Sequence, residues 1–276
     1  MTLKEKILGA KLTDDQVGLF YVGQLGFIVK FREKYLLIDG YLSDYVDINC
    51  SDENKPMVRK YPVPVKPEEL DFIDFVFCTH DHADHADPYT LSGIASVNNK
   101  AKYYVPQGIV SQVVSYGVPE DAVCGVACDN YRSLGESLGF TAIAAAHEEL
   151  HPDGMGSYLE VGYRFTLGKT QLYHSGDCCP YEGLDEKLKG CDIMIMPING
   201  RDYYRRYELD IIGNFEPQET VILAKRAGAK LLVPAHFDLY APNGQDPAYF
   251  VSELYRIAPG MPFHIFMPGE LYVYNG

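Results

Sequence analysis

The run Phe75-Val76-Phe77-Cys78-Thr79-His80-Asp81-His82-Ala83-Asp84-His85 decides how this chain is read. Its opening residues are apolar, the pattern of a short buried strand. Its last six read His-x-His-x-Asp-His, three imidazoles and a carboxylate on one short piece of chain. Protonated imidazoles held so close would repel one another, so the cluster is costly without cations. Neutral imidazole and carboxylate are also the donor types that suit zinc, manganese and iron. The spacing is too tight for one tetrahedral ion to take all four groups, so two adjacent ions are expected. Asp87-Pro88 follows, an N-cap residue and then proline at the first helical position. The local order is therefore strand, ligand cluster, helix.

The same order recurs along the chain. Thr170–Tyr173 leads into His174-Ser175-Gly176-Asp177. Asp192–Met196 leads into Pro197-Ile198-Asn199-Gly200-Arg201, and Lys230–Val233 into Pro234-Ala235-His236-Phe237-Asp238. Residues 18–22, 26–31 and 35–38 read as strands, with Asp39 ending the last. Glu216–Ala227 reads as a helix, with Pro217 in its first turn and Gly228 as its stop. Asp246-Pro247 opens another, in which Phe250, Leu254 and Ile257 recur at helical spacing. Residues 263–266 and 271–274 read as strands. Residues 43–68, with four prolines, read as a long loop of the kind that serves as a lid over a site. An α/β (α+β) fold with helix-covered sheets and sites at strand ends follows.

Composition narrows the classes. The 276 residues are taken as one domain, residues 1–276, long enough for a substantial core without disulfides. A net charge of −14 repels phosphate backbones, so nucleic acid is not an expected partner. No apolar run reaches the roughly 20 residues that span a bilayer, and no signal-peptide core follows Met1, so no membrane partner and a cytoplasmic location are expected. The odd count of seven cysteines is read as reduced thiols. No apolar stripe marks an oligomer interface, and a homo-oligomer is left open.

The strand, cluster and helix at residues 75–90 resemble the metallo-β-lactamase superfamily, whose signature is His-x-His-x-Asp-His. The resemblance extends in order to Asp39, His147, Asp177 and His236. It implies a four-layer αββα metallo-β-lactamase-type sandwich with a two-metal site on one edge. By position, His80, His82 and His147 would hold one divalent ion, Asp84, His85 and His236 a second, and Asp177 would bridge them. Manganese or zinc is expected. His147 emerges from the strand-like Thr141–Ala144, whereas His151 four residues on is the competing candidate. Asp39 is expected to orient a ligand histidine from behind.

A finer resemblance, carried by Tyr173–Asp177, Pro197–Arg201, Gly213-Asn214 and His236–Asp238, is to the L-ascorbate 6-phosphate lactonase-like subgroup. It implies a dinuclear hydrolase that turns a metal-bridging hydroxide on a small anionic ester or lactone, such as a sugar-acid phosphate lactone. Asp84 and Asp177 would be its catalytic carboxylates. Arg201 and Asn199 would contact the substrate, with a structural ion pair the competing reading of Arg201. His174 and Asp238 are read as supports of the ligands, each against an ordinary structural role. Cys178 and Cys179 are read as packing behind Asp177. Arg205 and Arg206, among three tyrosines, are read as a solvent-facing loop. The same signature also serves phosphodiesterases, including phospholipase D-type enzymes on N-acyl lipids, and thioesterases of the glyoxalase II type. A non-catalytic metal-bound ligand-binding module is the reading from a different class.

Overall fold

The computed structural model describes all residues, 1–276, and places thirteen strands in two mixed sheets. The strands are β1 (Gln16–Gly23), β2 (Gly26–Phe31), β3 (Lys34–Ile38), β4 (Phe75–Phe77), β5 (Lys102–Pro106), β6 (Val123–Val126), β7 (Tyr131–Gly135), β8 (Leu138–Ala144), β9 (Val161–Leu167), β10 (Thr170–His174), β11 (Ile193–Pro197), β12 (Leu231–Ala235) and β13 (Leu271–Asn275). The helices are α1 (Leu3–Gly9), α2 (Tyr45–Asn49), α3 (Pro88–Val97), α4 (Val110–Ser115), α5 (Leu184–Leu188), α6 (Tyr203–Tyr207), α7 (Pro217–Ala227) and α8 (Pro247–Ile257). The first sheet runs β13-β1-β2-β3-β4-β5-β6 and the second β12-β11-β10-β9-β8-β7.

Alternation along the strands builds the layers. In β1, Leu19 and Tyr21 face the second sheet, whereas Phe20 and Val22 face helices. The inter-sheet core joins Leu19, Phe27, Leu36 and Phe77 to Phe140, Phe165, Ile195 and Val233. Behind the first sheet, Ile7, Leu91, Ile94 and Val113 bring in α1, α3 and α4. Behind the second, Leu184, Leu188, Val221, Ala224, Phe250 and Leu254 bring in α5, α7 and α8. Four layers result, helix–sheet–sheet–helix. Strands buried on both faces must be apolar throughout, which is why Ile193-Met194-Ile195-Met196 shows no alternation.

Topology then fixes where chemistry can sit. β3, β4, β5 and β6 are parallel in one sheet, and β10, β11 and β12 in the other. The C-terminal ends of β3, β4, β8, β10 and β12 are followed directly by Asp39, the histidine cluster, His147, Asp177 and His236. Loops beyond the carboxyl ends of parallel strands are where α/β sheets bind ligands. α3 starts as expected, with Asp87 accepting from the Tyr89 N–H, and α7 stops at Gly228, whose φ of 77° only glycine adopts freely.

Three expectations need correction. Residues 43–68 are not wholly a loop: α2 forms there, Val46 and Met57 are buried with Ile211 and Tyr240, and the Arg59 guanidinium donates to the Ser43 carbonyl at 3.0 Å. Residues 263–266 form one bridge, Phe263 to Leu232, rather than a strand. The segment meets the edge of β12 only at Leu232, through two backbone hydrogen bonds, before passing on to β13 in the first sheet. Residues 203–207 form α6, not a loop, because Asp202 accepts from the Arg205 N–H; its tyrosines are still exposed. β5, β6, β7 and β9 occupy stretches for which the sequence reading named no element. No helix is long and apolar enough to cross a membrane.

Phe77 touches the rings of Tyr104, Phe140, Tyr163 and Phe165, with centroids 4.9 to 5.1 Å away. Phe77→Ala is expected to lose about 3–5 kcal/mol in urea unfolding through the cavity it leaves. Tyr204→Ala, at an exposed site, should stay within about 0.5 kcal/mol of the parent. Equal losses at the two positions would contradict this core assignment.

Candidate metal centre

Residues from five strand ends converge on one edge of the sandwich. His80, His82, His147 and Asp177 form one group of metal-type donors, and Asp84, His85 and His236 a second. His147 Nε2 lies 3.3 Å from His82 Nδ1. Asp177 Oδ1 lies 3.3 Å from His85 Nε2 and 3.2 Å from His236 Nε2, and Asp84 Oδ2 lies 3.6 Å from each of these nitrogens. Donors about 2.1 Å from a tetrahedral ion stand about 3.4 Å apart, so these separations fit ligation. The buried atoms His80 Nε2, His85 Nε2 and Asp177 Oδ1 have no hydrogen-bond partner. Buried polar atoms are rarely left so. The residues present therefore fit one ion in each group.

The donors are aimed by groups behind them. Asp39 Oδ2 accepts from His85 Nδ1 at 2.8 Å and from the Thr79 hydroxyl at 2.7 Å, while Oδ1 accepts from the Thr79 N–H at 2.9 Å. With its proton committed to Asp39, Thr79 Oγ1 accepts from His80 Nδ1 at 3.0 Å. Both imidazoles then present an Nε2 lone pair to the cluster. His174 supports the backbone rather than a ligand: its Nε2 donates to the Leu25 carbonyl at 2.8 Å and its Nδ1 accepts from the Gly176 N–H at 3.3 Å. Gly176 has φ 61°, and a Cβ there would meet Thr79 at 2.7 Å, so the turn that delivers Asp177 needs glycine. The next turn is tied to the neighbour of His147, since the Cys179 N–H donates to the Ala146 carbonyl at 2.6 Å.

Gln24, Asp39 and His236 all adopt left-handed backbone, with φ 61°, 45° and 57°. Non-glycine residues pay for that conformation, and such outliers gather at functional sites. Neither Gln24 nor Thr79 is given a role by the sequence pattern. A glutamine or threonine carries no ligand signature, and only their contacts across the fold reveal them.

Other candidates fall elsewhere. His151 is exposed and faces Glu160, 3.1 Å away. Arg201 is bound end-on by Glu219 through two contacts of 2.7 Å, and it also donates to the Asn214 carbonyl at 3.0 Å. The Arg201 guanidinium is thus engaged in a structural ion pair with α7. Asn199 is buried and donates to Asn243 Oδ1 at 2.8 Å. Asp238 accepts from the Tyr21 hydroxyl at 2.8 Å and touches no donor of the cluster. Cys178 and Cys179 are buried, and burial pushes both thiols up. A cleft of about 220 Å³ opens over the cluster, lined by His82, Asp84 and Asp177 together with Cys50, Lys55 and Asn243.

The field in the cluster favours a cation. Burial opposes ionisation of Asp84 and Asp177, but His85 and His236 outweigh it, and both carboxyls are held below their usual range. Burial also lowers His147 to about 4, with nearby imidazoles adding and Asp177 opposing. His80 is lowered by burial and then by His85 and His82. At His85, burial pulls downward, yet Asp177, Asp84 and Asp39 together outweigh it. Positive charge is thus most favoured between Asp84, Asp177 and the two imidazoles, where a metal ion would sit. Asp39→Asn should leave the fold intact but weaken divalent-ion affinity about 10–100-fold in a chelator-competition titration, because one of the two oxygens that accept from His85 and Thr79 becomes an NH2 donor and the negative charge behind His85 is lost. Unchanged affinity would remove Asp39 from this role.

Comparison with known proteins agrees with this geometry. Residues 36–237 match the family model described as "Beta-lactamase superfamily domain". A metal-dependent hydrolase from Methanoculleus marisnigri is 25% identical over 222 residues, 78% of this chain and 85% of that protein. An N-acyl-phosphatidylethanolamine-hydrolyzing phospholipase D from Caenorhabditis elegans is 25% identical over 204 residues, 69% of this chain and 56% of that protein. The structure of an isothiocyanate hydrolase from Delia radicum gut bacteria superposes with a TM-score of 0.75 at 16% identity, over 94% of this chain and all of that one, a likeness of fold. With its four layers and its donors at the shared sheet edge, this chain belongs to the beta-lactamase superfamily domain family.

Proposed function

We propose that the protein is a dinuclear metal-dependent hydrolase acting on a small anionic ester or lactone. The observation that carries this is the placement of two donor groups side by side at a cleft whose lining also includes Lys55. Two divalent ions, manganese or zinc, would supply a nucleophilic hydroxide near neutral pH and polarise the scissile group. His80, His82 and His147 would hold one ion, Asp84, His85 and His236 the other, with Asp177 between them.

The remaining work falls to the chain's own residues. Asp177 is nearly buried, which suits holding two cations close together. The Asp84 side chain is 17% exposed and lines the cleft, so it is the site carboxylate placed to exchange a proton with a bound substrate. Lys55 makes no ion pair and is half-buried in the cleft wall. It, rather than Arg201, is the cation available to the distal anionic group of a substrate such as a sugar-acid phosphate lactone. Asn243 lines the same cleft, its amide oriented by Asn199.

A phosphodiester substrate is the second reading, supported by the likeness to the nematode phospholipase. The deciding experiment is a screen of apo protein reconstituted in parallel with manganese and zinc. Its panel pairs lactones and phosphodiesters with and without a distal phosphate. Metal-dependent hydrolysis favouring the anionic lactones is expected. Turnover of phosphodiesters alone would favour the second reading. Metal-loaded protein inert to every class would favour a binding module.

Lys55→Ala should raise KM about tenfold for anionic substrates and leave neutral analogues unchanged, the loss of one charge-assisted contact. Arg201→Ala should lower stability by no more than about 1 kcal/mol, as its ion pair is partly exposed, without altering that substrate preference. The reverse pattern would restore Arg201 to the substrate site.

A further inference from the structure

Asp39 and Thr79 support the cluster from behind, whereas Gln24 is a buried side chain that meets the donor atoms of the second group themselves. It sits in the turn between β1 and β2 and is 2% exposed. Its backbone is pinned on both sides: the Gln24 N–H donates to the Tyr61 hydroxyl at 3.2 Å, and the His236 N–H donates to the Gln24 carbonyl at 2.6 Å. The Cα of Gln24 is therefore held in place beside His236. Its terminal Nε2 lies 2.8 Å from Asp84 Oδ2 and 3.1 Å from His236 Nε2.

Those two atoms both belong to the second donor group. Ligands about 2.1 Å from an ion stand about 3.0 Å apart along the edge of an octahedron. The end of the Gln24 amide is thus spaced from Asp84 and His236 as one coordinating atom is from the next. With the amide nitrogen inward, Gln24 donates to the carboxylate of Asp84 and to the lone pair of His236 Nε2. An ion ligated by His236 takes that lone pair and repels an N–H pointed at it. Rotation of the terminal amide by half a turn puts Oε1 in the same place, and an amide oxygen is a good ligand for hard divalent ions.

We propose that Gln24 is an additional ligand of the second metal site, beside Asp84, His85 and His236. Its amide nitrogen holds Asp84 and His236 together before an ion arrives, and its Oε1 faces the ion once bound. The inference rests on the two-metal reading above and deepens it. An extra oxygen donor biases the second site toward manganese over zinc, whereas the imidazole-rich first site has no such bias.

The test is a titration of metal-free protein with Mn²⁺, with free ion followed by electron paramagnetic resonance, on the wild type, Gln24→Ala and Gln24→Glu. The wild type should take up two ions. Gln24→Ala should bind the first as the wild type does and the second about tenfold or more weakly, in line with what removing a ligand-side partner costs. Gln24→Glu, which keeps an oxygen at the same reach, should recover the second ion. Near-ultraviolet circular dichroism and unchanged first-site affinity establish that the variants are folded. Second-site binding in Gln24→Ala as tight as in the wild type, or tighter, overturns the assignment. So does failure of Gln24→Glu to recover it, including the case where Gln24→Ala does not fold. A wild type that takes up fewer than two ions overturns the two-metal reading itself, and the role of Gln24 with it.

Discussion

Asp39 accepts three hydrogen bonds at once, from His85 Nδ1, the Thr79 hydroxyl and the Thr79 N–H, in full burial. A carboxylate taken out of water costs several kcal/mol unless its lone pairs are satisfied, so this arrangement has little room to move. It fixes the ring of His85 directly and that of His80 through Thr79. It also ties the end of β3 to the end of β4, since the Asp39 N–H donates to the Phe77 carbonyl at 2.9 Å. The two histidines sit in different donor groups, so one carboxylate sets the spacing of both.

The sandwich supplies the rest of the geometry. Each sheet contributes parallel strands whose carboxyl ends reach the same edge, and every donor follows such an end or the end of β8 at once. A rigid inter-sheet core of aromatic rings lies directly behind them. Three left-handed residues lie at this edge, Gln24, Asp39 and His236, and each is held by hydrogen bonds to neighbouring segments. Metal ligation tolerates small errors poorly, and a stiff support of this kind limits them.

Much of this was legible in the sequence, for a physical reason. His-x-His-x-Asp-His packs its donors within one turn, so a local pattern identifies a local structure, and apolar runs ending in Asp39, Asp177 and His236 mark strand ends. What could not be read is what depends on distant contacts. Arg201 looked like a substrate clamp because it follows a buried strand, yet Glu219 on α7, eighteen residues away, takes its guanidinium. Gln24, Thr79 and Lys55 carry no motif, and their places follow only from how β1, β4 and the 43–68 segment meet. That segment looked like loop because proline and polar residues dominate it, while α2 is stabilised there by the burial of Val46 against residues beyond 200. Likewise β5, β6, β7 and β9 carry a weaker apolar signal, which pairing with neighbours makes up.

The central claim is that two ions lie side by side in this cluster. Anomalous diffraction from crystals of manganese-reconstituted protein tests it most directly. The account predicts two peaks about 3.5–4 Å apart, one beside His80, His82 and His147, the other beside Asp84, His85 and His236, with Asp177 between them. A single peak, or peaks away from these residues, would contradict it.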